Sequence, residues 1–455
     1  MTGNLTILGG GPAGLGAAFY AHRAGFEFVL FEKAPEFGGL CRTFRCGKHR
    51  YDAGAHRFHD ADPEVTAVLR ELLGDKLVSV FRPSKVFVRG RYLGFPPTPT
   101  NLLLSAGLGD LGRMSLDLLR GRLDRRPVVS FADFAVKAFG KTLAERFLLN
   151  YSAKVWGLPP DQLSPAIATR RLSGMSLWTL MLELVNPQRK TEHLEGRFLY
   201  PTGGHGEIIR AIVGTLPRSS LKENSEVCGL DVEAGAIRGV RLSDGSSWPV
   251  RGPVVSTLPL PALVRFLAPC LPPDCQKRAA DLRFRQVRLI FLRLSRPRFS
   301  ENASIYIPNP DLCVSRIYEP KNRCESMAPP GETSIVVECP CFPNDEIGQT
   351  ADQALCERVI GELESLSLLD RQWVLDWEHR LLPDAYPVYA LKFEETVNYL
   401  VKALGVVSNV ELLGRGGLFL YSHLHHQLRF GRDLVDSLRD QSTPRQRIAH
   451  AVGVR

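Results

Sequence analysis

Asn4-Leu5-Thr6-Ile7-Leu8-Gly9-Gly10-Gly11-Pro12-Ala13-Gly14 is the stretch that decides the fold. A short β-forming apolar run ends in a glycine cluster, after which Ala17, Ala18, Ala21 and Ala24 recur in a helical pattern. The order is strand, tight turn, helix. A second apolar run, residues 26–31, ends in Glu32, 23 residues after Gly9. The dinucleotide-binding fingerprint places an acidic residue for the ribose about 20 residues on. Gly9 permits the turn, Gly11 lets the backbone approach a pyrophosphate, and Gly14 lets the helix pack on the strand, while the helix N-terminus supplies the positive end of its dipole. The pattern predicts an α/β, Rossmann-like domain.

The remaining composition sets bounds. The 455 residues amount to about three domain-sized masses. Hydrophobic residues make up 44% and charged residues 23%, which excludes a disordered, fibrous or coiled-coil chain. No apolar run approaches the roughly 20 residues of a membrane-spanning helix. An export signal has no room before the first strand, so the expected location is cytoplasmic. The ten cysteines contain no Cys-x-x-Cys pair; Cys339 and Cys341 come nearest, and no zinc-type spacing occurs. They read as reduced core thiols. The net charge of +9 suits an anionic substrate, an acidic membrane surface or nucleic acid, and charge alone does not choose.

The segment Glu32-Lys33-Ala34-Pro35-Glu36-Phe37-Gly38-Gly39-Leu40-Cys41-Arg42-Thr43 resembles the second glycine doublet of FAD enzymes of the amine oxidase and protoporphyrinogen oxidase superfamily, including UDP-galactopyranose mutases. The resemblance implies FAD, with Gly38, Gly39 and Arg42 along its pyrophosphate and Glu32 on the adenosine ribose. Tyr51-Asp52-Ala53-Gly54-Ala55-His56-Arg57-Phe58-His59 is similar to the segment that passes near the flavin ring in those enzymes, which implies His56 there. Leu199-Tyr200-Pro201-Thr202-Gly203-Gly204-His205-Gly206-Glu207 resembles the glycine-rich return into the FAD domain. Residues 226–242 alternate as a hairpin around Glu233-Ala234-Gly235, and the resemblance turns the backbone near Val227 toward the adenine. Residues 385–389 and 413–421 are similar to the closing FAD motif. By that likeness Gly414 and Arg415 end a strand and Gly431 opens the last helix beneath the flavin.

The fingerprint is N-terminal and the closing motif C-terminal, so the FAD-binding domain is expected from separated pieces at about 1–80, 197–270 and 385–455. Pieces at about 81–196 and 271–384 are expected to build a mixed α+β substrate domain. Within it, residues 131–149 show helical spacing and residues 175–185 are densely apolar, whereas residues 284–294 and 333–338 read as strands. Residues 101–129 interleave leucines with Arg113, Arg120, Arg122, Arg125 and Arg126. A membrane-surface helix would fit, but a cap-domain helix pair with a solvated basic face is favoured, and Gly107, Gly109 and Gly112 argue against one continuous helix.

Tyr151-Ser152-Ala153-Lys154-Val155-Trp156-Gly157 resembles the Lys-Val-Trp segment of eukaryotic-type UDP-galactopyranose mutases and of bacterial protoporphyrinogen-oxidase-like proteins. In the mutases an arginine 17 positions after that lysine holds the substrate diphosphate; here it is Arg171, preceded by Arg170. A bidentate guanidinium suits phosphate oxygens, and that reading is favoured over a surface or ion-pair arginine. Tyr421 aligns with a tyrosine that contacts the diphosphate in the mutases, and Tyr389 is either close by or a buried aromatic. In Ser422-His423-Leu424-His425-His426, His426 matches the family histidine while His425 replaces an aspartate. With His56 and His59 this puts several imidazoles around the isoalloxazine, suited to proton transfer or, as cations, to stabilising a reduced flavin. Carboxylate or thiolate partners at ligand spacing are absent, so no metal is expected.

His56, Arg171, Tyr421 and His426 are the catalytic candidates, and Gly9, Gly11, Gly14, Glu32, Gly38, Gly39, Arg42, Val227, Gly414, Arg415 and Gly431 the cofactor-binding ones. Two functions compete. The first is an FAD-dependent oxidoreductase moving a hydride from a small organic substrate to flavin N5. The second is a reduced-FAD nucleotide-sugar mutase that interconverts pyranose and furanose. The oxidoreductase stands first because most chains with this motif set act as oxidases, dehydrogenases or desaturases. A small-molecule substrate, anionic or a nucleotide-sugar, is the expected partner rather than nucleic acid. A scaffold or peripheral membrane role rests on residues 101–129 alone.

Overall fold

Asn4–Leu8 lies in the middle of a five-stranded sheet. The structure, a computed structural model, describes residues 4–94, 108–171 and 197–440. Across the sheet the order is Val410–Leu412, Val254–Ser256, Asn4–Leu8, Glu27–Phe31 and Leu221–Lys222, and every neighbouring pair is parallel. A parallel sheet needs cover on both faces. Leu5, Ile7, Phe28 and Leu30 therefore pack with Leu15 of helix Pro12–Arg23 and with Leu428 and Leu434 of helix Leu424–Arg439. Leu8, Val29, Phe31 and Val254 point the other way, into a cluster with Leu230, Ile237 and Val240. Those three belong to an antiparallel meander, Val227–Glu233, Ala236–Leu242 and Ser247–Pro249, whose first turn is at Ala234-Gly235.

Gly431 departs from expectation. The last helix opens at Leu424, with His423 as its cap, so Gly431 sits in its middle and not at its start. A Cβ there would overlap the backbone of Gly16 and Ala17. The glycine is a contact point where two helices touch backbone to backbone. The closing motif is also shifted: the strand stops at Leu412, and Gly414 and Arg415 begin the short helix Gly414–Gly417.

The second sheet has seven strands in the order Val374–Pro387, Phe284–Leu294, Thr333–Cys341, Arg316–Tyr318, Ser304–Tyr306, Ser84–Val88 and Arg91–Gly94. All pairs are antiparallel except Ser304–Tyr306 with Ser84–Val88. One face packs against Leu355, Val359 and Leu363 of helix Asp352–Ser365, and the other against Tyr51 and Ala53 beside the hairpin of Thr43–Cys46 and His49–Asp52.

Residues 131–149 are helical in two steps. Phe131–Phe139 starts from a Ser130/Asp133 capping box and stops at Gly140, after which the chain winds on through a π-turn at Ala144–Leu149 to Trp156. Leu108–Leu123 is one helix that contains Gly109 and Gly112. The glycines do not break it; Gly121 lies against the carbonyls of Val136 and Lys137, so the helix pairs closely with Phe131–Phe139. Residues 101–107 and 175–185 lie outside the described residues.

Candidate active site

At the C-terminal end of the first strand the chain turns at Gly9, whose φ of +100° suits glycine alone and whose Cα faces the Thr257 hydroxyl. Thr257 donates that hydroxyl to the Leu8 carbonyl at 2.9 Å, joining two neighbouring strands. Gly14 lies on the Gly9 carbonyl, where a Cβ would collide. Around Gly11, in contrast, a Cβ would meet nothing within 4 Å. The open space is a cavity of about 970 Å³. No side chain caps helix Pro12–Arg23, so its first N–H groups are left for an anion. Gly38 donates its N–H to the Gly10 carbonyl at 2.8 Å, which folds the second glycine doublet onto the first. Glu32 accepts from the N–H of Gly10 at 2.8 Å and of Ala34 at 2.9 Å.

Gly9, Gly11, Glu32, Gly39, Arg42, Val227, Gly414 and Arg415 all line this cavity, as do His56, Tyr421 and His426. The donor set suits FAD: an uncapped helix end for a pyrophosphate, a carboxylate for a ribose, and Val227 beside Ser225 and Glu226 for an adenine. Gly14, Gly38 and Gly431 do not line it and act in packing. Arg171 ends helix Ala166–Arg171, and its side chain lies outside the described residues.

Burial favours the neutral form of five imidazoles at the cavity, those of His56, His205, His423, His425 and His426. His56 donates Nε2–H to the Leu40 carbonyl at 2.7 Å and stacks on His205 at 5.1 Å. Burial, reinforced by His205, pulls its pKa down to about 3. Burial does the same for His423 and His425, each to about 3, and lowers His426. His426 Nδ1 accepts the backbone N–H of His423 at 3.2 Å, so its proton is on Nε2 and is donated to His425 Nε2 at 3.1 Å. Of the two roles the sequence left open for these imidazoles, proton transfer and cationic stabilisation, burial disfavours the second; the cations lining the cavity are Lys33, Arg42, Arg57, Arg265, Arg316 and Arg415.

Three of the lining arginines, Arg57, Arg265 and Arg316, were not singled out from sequence. Arg316 forms a two-pronged pair with Glu338, at 2.9 and 2.7 Å, and Glu338 also accepts the Ala55 N–H at 3.1 Å, next to His56. Arg57 stands beside His56 on the cavity wall. The short strand Arg316–Tyr318 carries no motif, and Arg57 was visible only as the neighbour of a histidine.

The far wall is aromatic. Tyr421 stacks beside Tyr386 at 6.2 Å and over the Arg415 guanidinium at 5.1 Å, while Arg415 donates to the carbonyls of Ala385 and Ser422. Tyr151 and Tyr306 meet edge to face at 5.6 Å. Tyr389 is the buried alternative: fully enclosed, stacked on Phe393 at 4.2 Å, its hydroxyl accepting the Tyr421 N–H at 2.6 Å. Lys154 proves to be a clamp. Its ammonium donates to the carbonyls of Ile307, Asn309 and Val314 at 3.1, 2.6 and 2.7 Å, and burial brings its pKa down to about 8.

Among the described residues no helix is long and apolar enough to cross a membrane, and no cluster of three His, Cys, Asp or Glu side chains has metal-holding geometry. The chain is similar to coproporphyrinogen III oxidase of Mycobacterium tuberculosis, 28% identical over 155 residues, which is 31% of this chain and 34% of that one. It thus spans about a third of the length of such curated relatives. Its fold is similar to that of reduced UDP-galactopyranose mutase, with a TM-score of 0.82 and 21% identity over 97% of this chain and 96% of that one. It is also similar to putrescine oxidase bound to putrescine, with a TM-score of 0.65 and 15% identity over 97% and 99%. Residues 12–396 match the family described as flavin containing amine oxidoreductase. With that match and the glycine cradle around one cavity, the chain belongs to the flavin-containing amine oxidoreductase family, and its cofactor is FAD.

Proposed function

We propose that the protein is an FAD-dependent oxidoreductase acting on a small organic molecule. The observation that carries this reading is the convergence of the glycine cradle and a tyrosine-lined wall on one cavity. When bound, FAD supplies a hydride acceptor at N5. The chain's own residues hold and shield: the N-terminus of helix Pro12–Arg23 with Gly11, Gly39 and Arg42 takes the pyrophosphate, Glu32 the ribose and Val227 the adenine. Tyr151, Tyr306, Tyr386 and Tyr421 exclude water from the reacting end and offer ring faces to the substrate. His56 is a fixed hydrogen-bond acceptor at Nδ1, because its other nitrogen donates to Leu40. His426, neutral and donating to His425, acts by orientation rather than by charge.

One corner favours a second reading, a nucleotide-sugar mutase. Arg415 under Tyr421, with Tyr386 alongside, makes the kind of cation and hydroxyl corner that a diphosphate occupies. The deciding experiment is anaerobic flavin spectroscopy of the purified yellow protein with amines, alcohols and porphyrinogens. Bleaching by one class, reversed by oxygen or a dye, is the expected result. Absence of bleaching by every class, with conversion of UDP-galactopyranose to the furanose only after dithionite reduction, would replace the oxidoreductase with the mutase.

A further inference from the structure

Arg57 follows His56 in the loop between strand His49–Asp52 and helix Pro63–Leu73. Its guanidinium lies over the Phe198 ring at 5.0 Å and donates to the Ser84 hydroxyl. It borders the cavity together with Tyr306 and Arg316. A guanidinium has five N–H donors, and among the described residues Ser84 receives the one hydrogen bond that Arg57 makes. Among the same residues no carboxylate pairs with it. Glu338 is engaged by Arg316 through both oxygens and by the Ala55 N–H, so it has little left to offer a second cation.

A cation set into a protein wall without a counter-charge is unfavourable unless something else answers it. Burial pulls the Arg57 pKa down to about 10; Tyr306 opposes that shift, whereas the nearby Arg323 and Arg316 add to it. Arg323 is itself buried, with its hydrogen bonds going to the carbonyls of His56 and Glu319 and the hydroxyl of Ser304. Arg57 and Arg316 together carry two positive charges against the single carboxylate of Glu338. The imbalance faces open space, next to the Tyr306 ring.

We infer that Arg57, with Tyr306 beside it, seats an anionic group of the substrate, a carboxylate or a phosphate, on the wall of the cavity. One monoanion there offsets part of the excess positive charge and meets the unused N–H donors in the planar, forked geometry that guanidinium prefers. The seat would select acidic substrates over neutral ones of the same shape. It rests on the proposed function in one respect: this part of the cavity is where substrate sits.

The test uses the FAD-loaded protein and follows flavin absorbance during titration with benzoate, phenyl phosphate and the neutral isostere benzamide. Wild type should bind at least one anion about tenfold more tightly than benzamide. Arg57→Met should erase that preference with FAD still stoichiometric, and Arg57→Lys, which keeps the charge but not the fork, should keep part of it. The anion that binds better identifies carboxylate or phosphate as the natural group. Equal binding of all three probes by wild type, or an anion preference that survives in FAD-loaded Arg57→Met, would overturn the seat. The wild-type comparison decides alone if Arg57→Met does not fold. Anion preference in a protein that oxidises nothing would reject the oxidoreductase and keep the seat, whereas oxidation without anion preference would do the reverse.

Discussion

The Glu32 carboxylate holds the backbone N–H of Gly10, 22 positions earlier in the chain, at 2.8 Å. Its other oxygen holds the N–H of Ala34, so the acid proposed for the ribose also fixes the glycine turn proposed for the pyrophosphate. Glu32→Ala leaves two N–H groups without acceptors, at a cost of about 1–3 kcal/mol each where water does not reach them. The variant should lose FAD and melt earlier. Equal flavin-to-protein ratios in variant and wild type, read from absorbance, would refute the assignment.

Glycines in this chain fall into two kinds that mutation should separate. Gly11 has open space where a Cβ would go, so Gly11→Val should strip the cofactor while the FAD-free protein keeps the melting temperature of FAD-free wild type. Gly431→Val would drive a side chain into Gly16 and Ala17, at a cost of about 1–3 kcal/mol or more, and should weaken the fold with or without FAD. Melting curves of both variants with FAD removed distinguish the two.

Acid should destabilise the protein between about pH 6.5 and pH 3. His56 and His205 are each brought to about 3, mainly by burial, while the unfolded chain protonates its histidines near 6.5. Above 6.5 both states are neutral and nothing is gained or lost. As pH falls through that window the unfolded state takes up protons that the folded state refuses, so stability drops by up to about 1.4 kcal/mol per pH unit for each histidine. Urea titrations at pH 7, 6 and 5 should show the fall, and His205→Phe should remove about one proton from the slope. An unchanged slope in that variant would exclude His205 as a source.

Glu338→Gln removes the counter-charge of Arg316 and loosens the Ala55 N–H that precedes His56. Breaking a buried pair on one side costs about 3–5 kcal/mol, so this single change should be severe. The double variant Glu338→Gln with Arg316→Met should recover much of the loss, since no orphaned charge remains. A double-mutant cycle by chemical denaturation gives the coupling, and additive losses would contradict it.

The cradle was legible because its causes are local. Gly9, Gly11, Gly14 and Glu32 report a turn, an approach and a carboxylate at fixed spacing, and the continuous apolar run on either side marks the two parallel strands. Gly431 misled because the family likeness supplies a glycine near the last helix without saying whether it starts that helix or lets it touch another. Arg57 and Arg316 were not legible at all: one lies in a loop, the other in a three-residue strand, and only the folded sheet brings them to one cavity. His426 was found by its likeness to the family histidine, but the lowering of its pKa comes from burial, which no motif records.

The five parallel strands come from residues 4–31, 221–222, 254–256 and 410–412, and the cavity they serve is closed by side chains as late as Gln427. A ribosome that has delivered the fingerprint, the doublet and the whole seven-stranded sheet still holds a protein with an open edge and half a cradle. Capture of FAD is therefore expected only once residues 410–427 have joined the sheet and the cavity wall. A chain truncated before residue 410 should lack the edge strand and the Gly414–Gln427 lining, and is expected to emerge colourless with its central sheet open on that side.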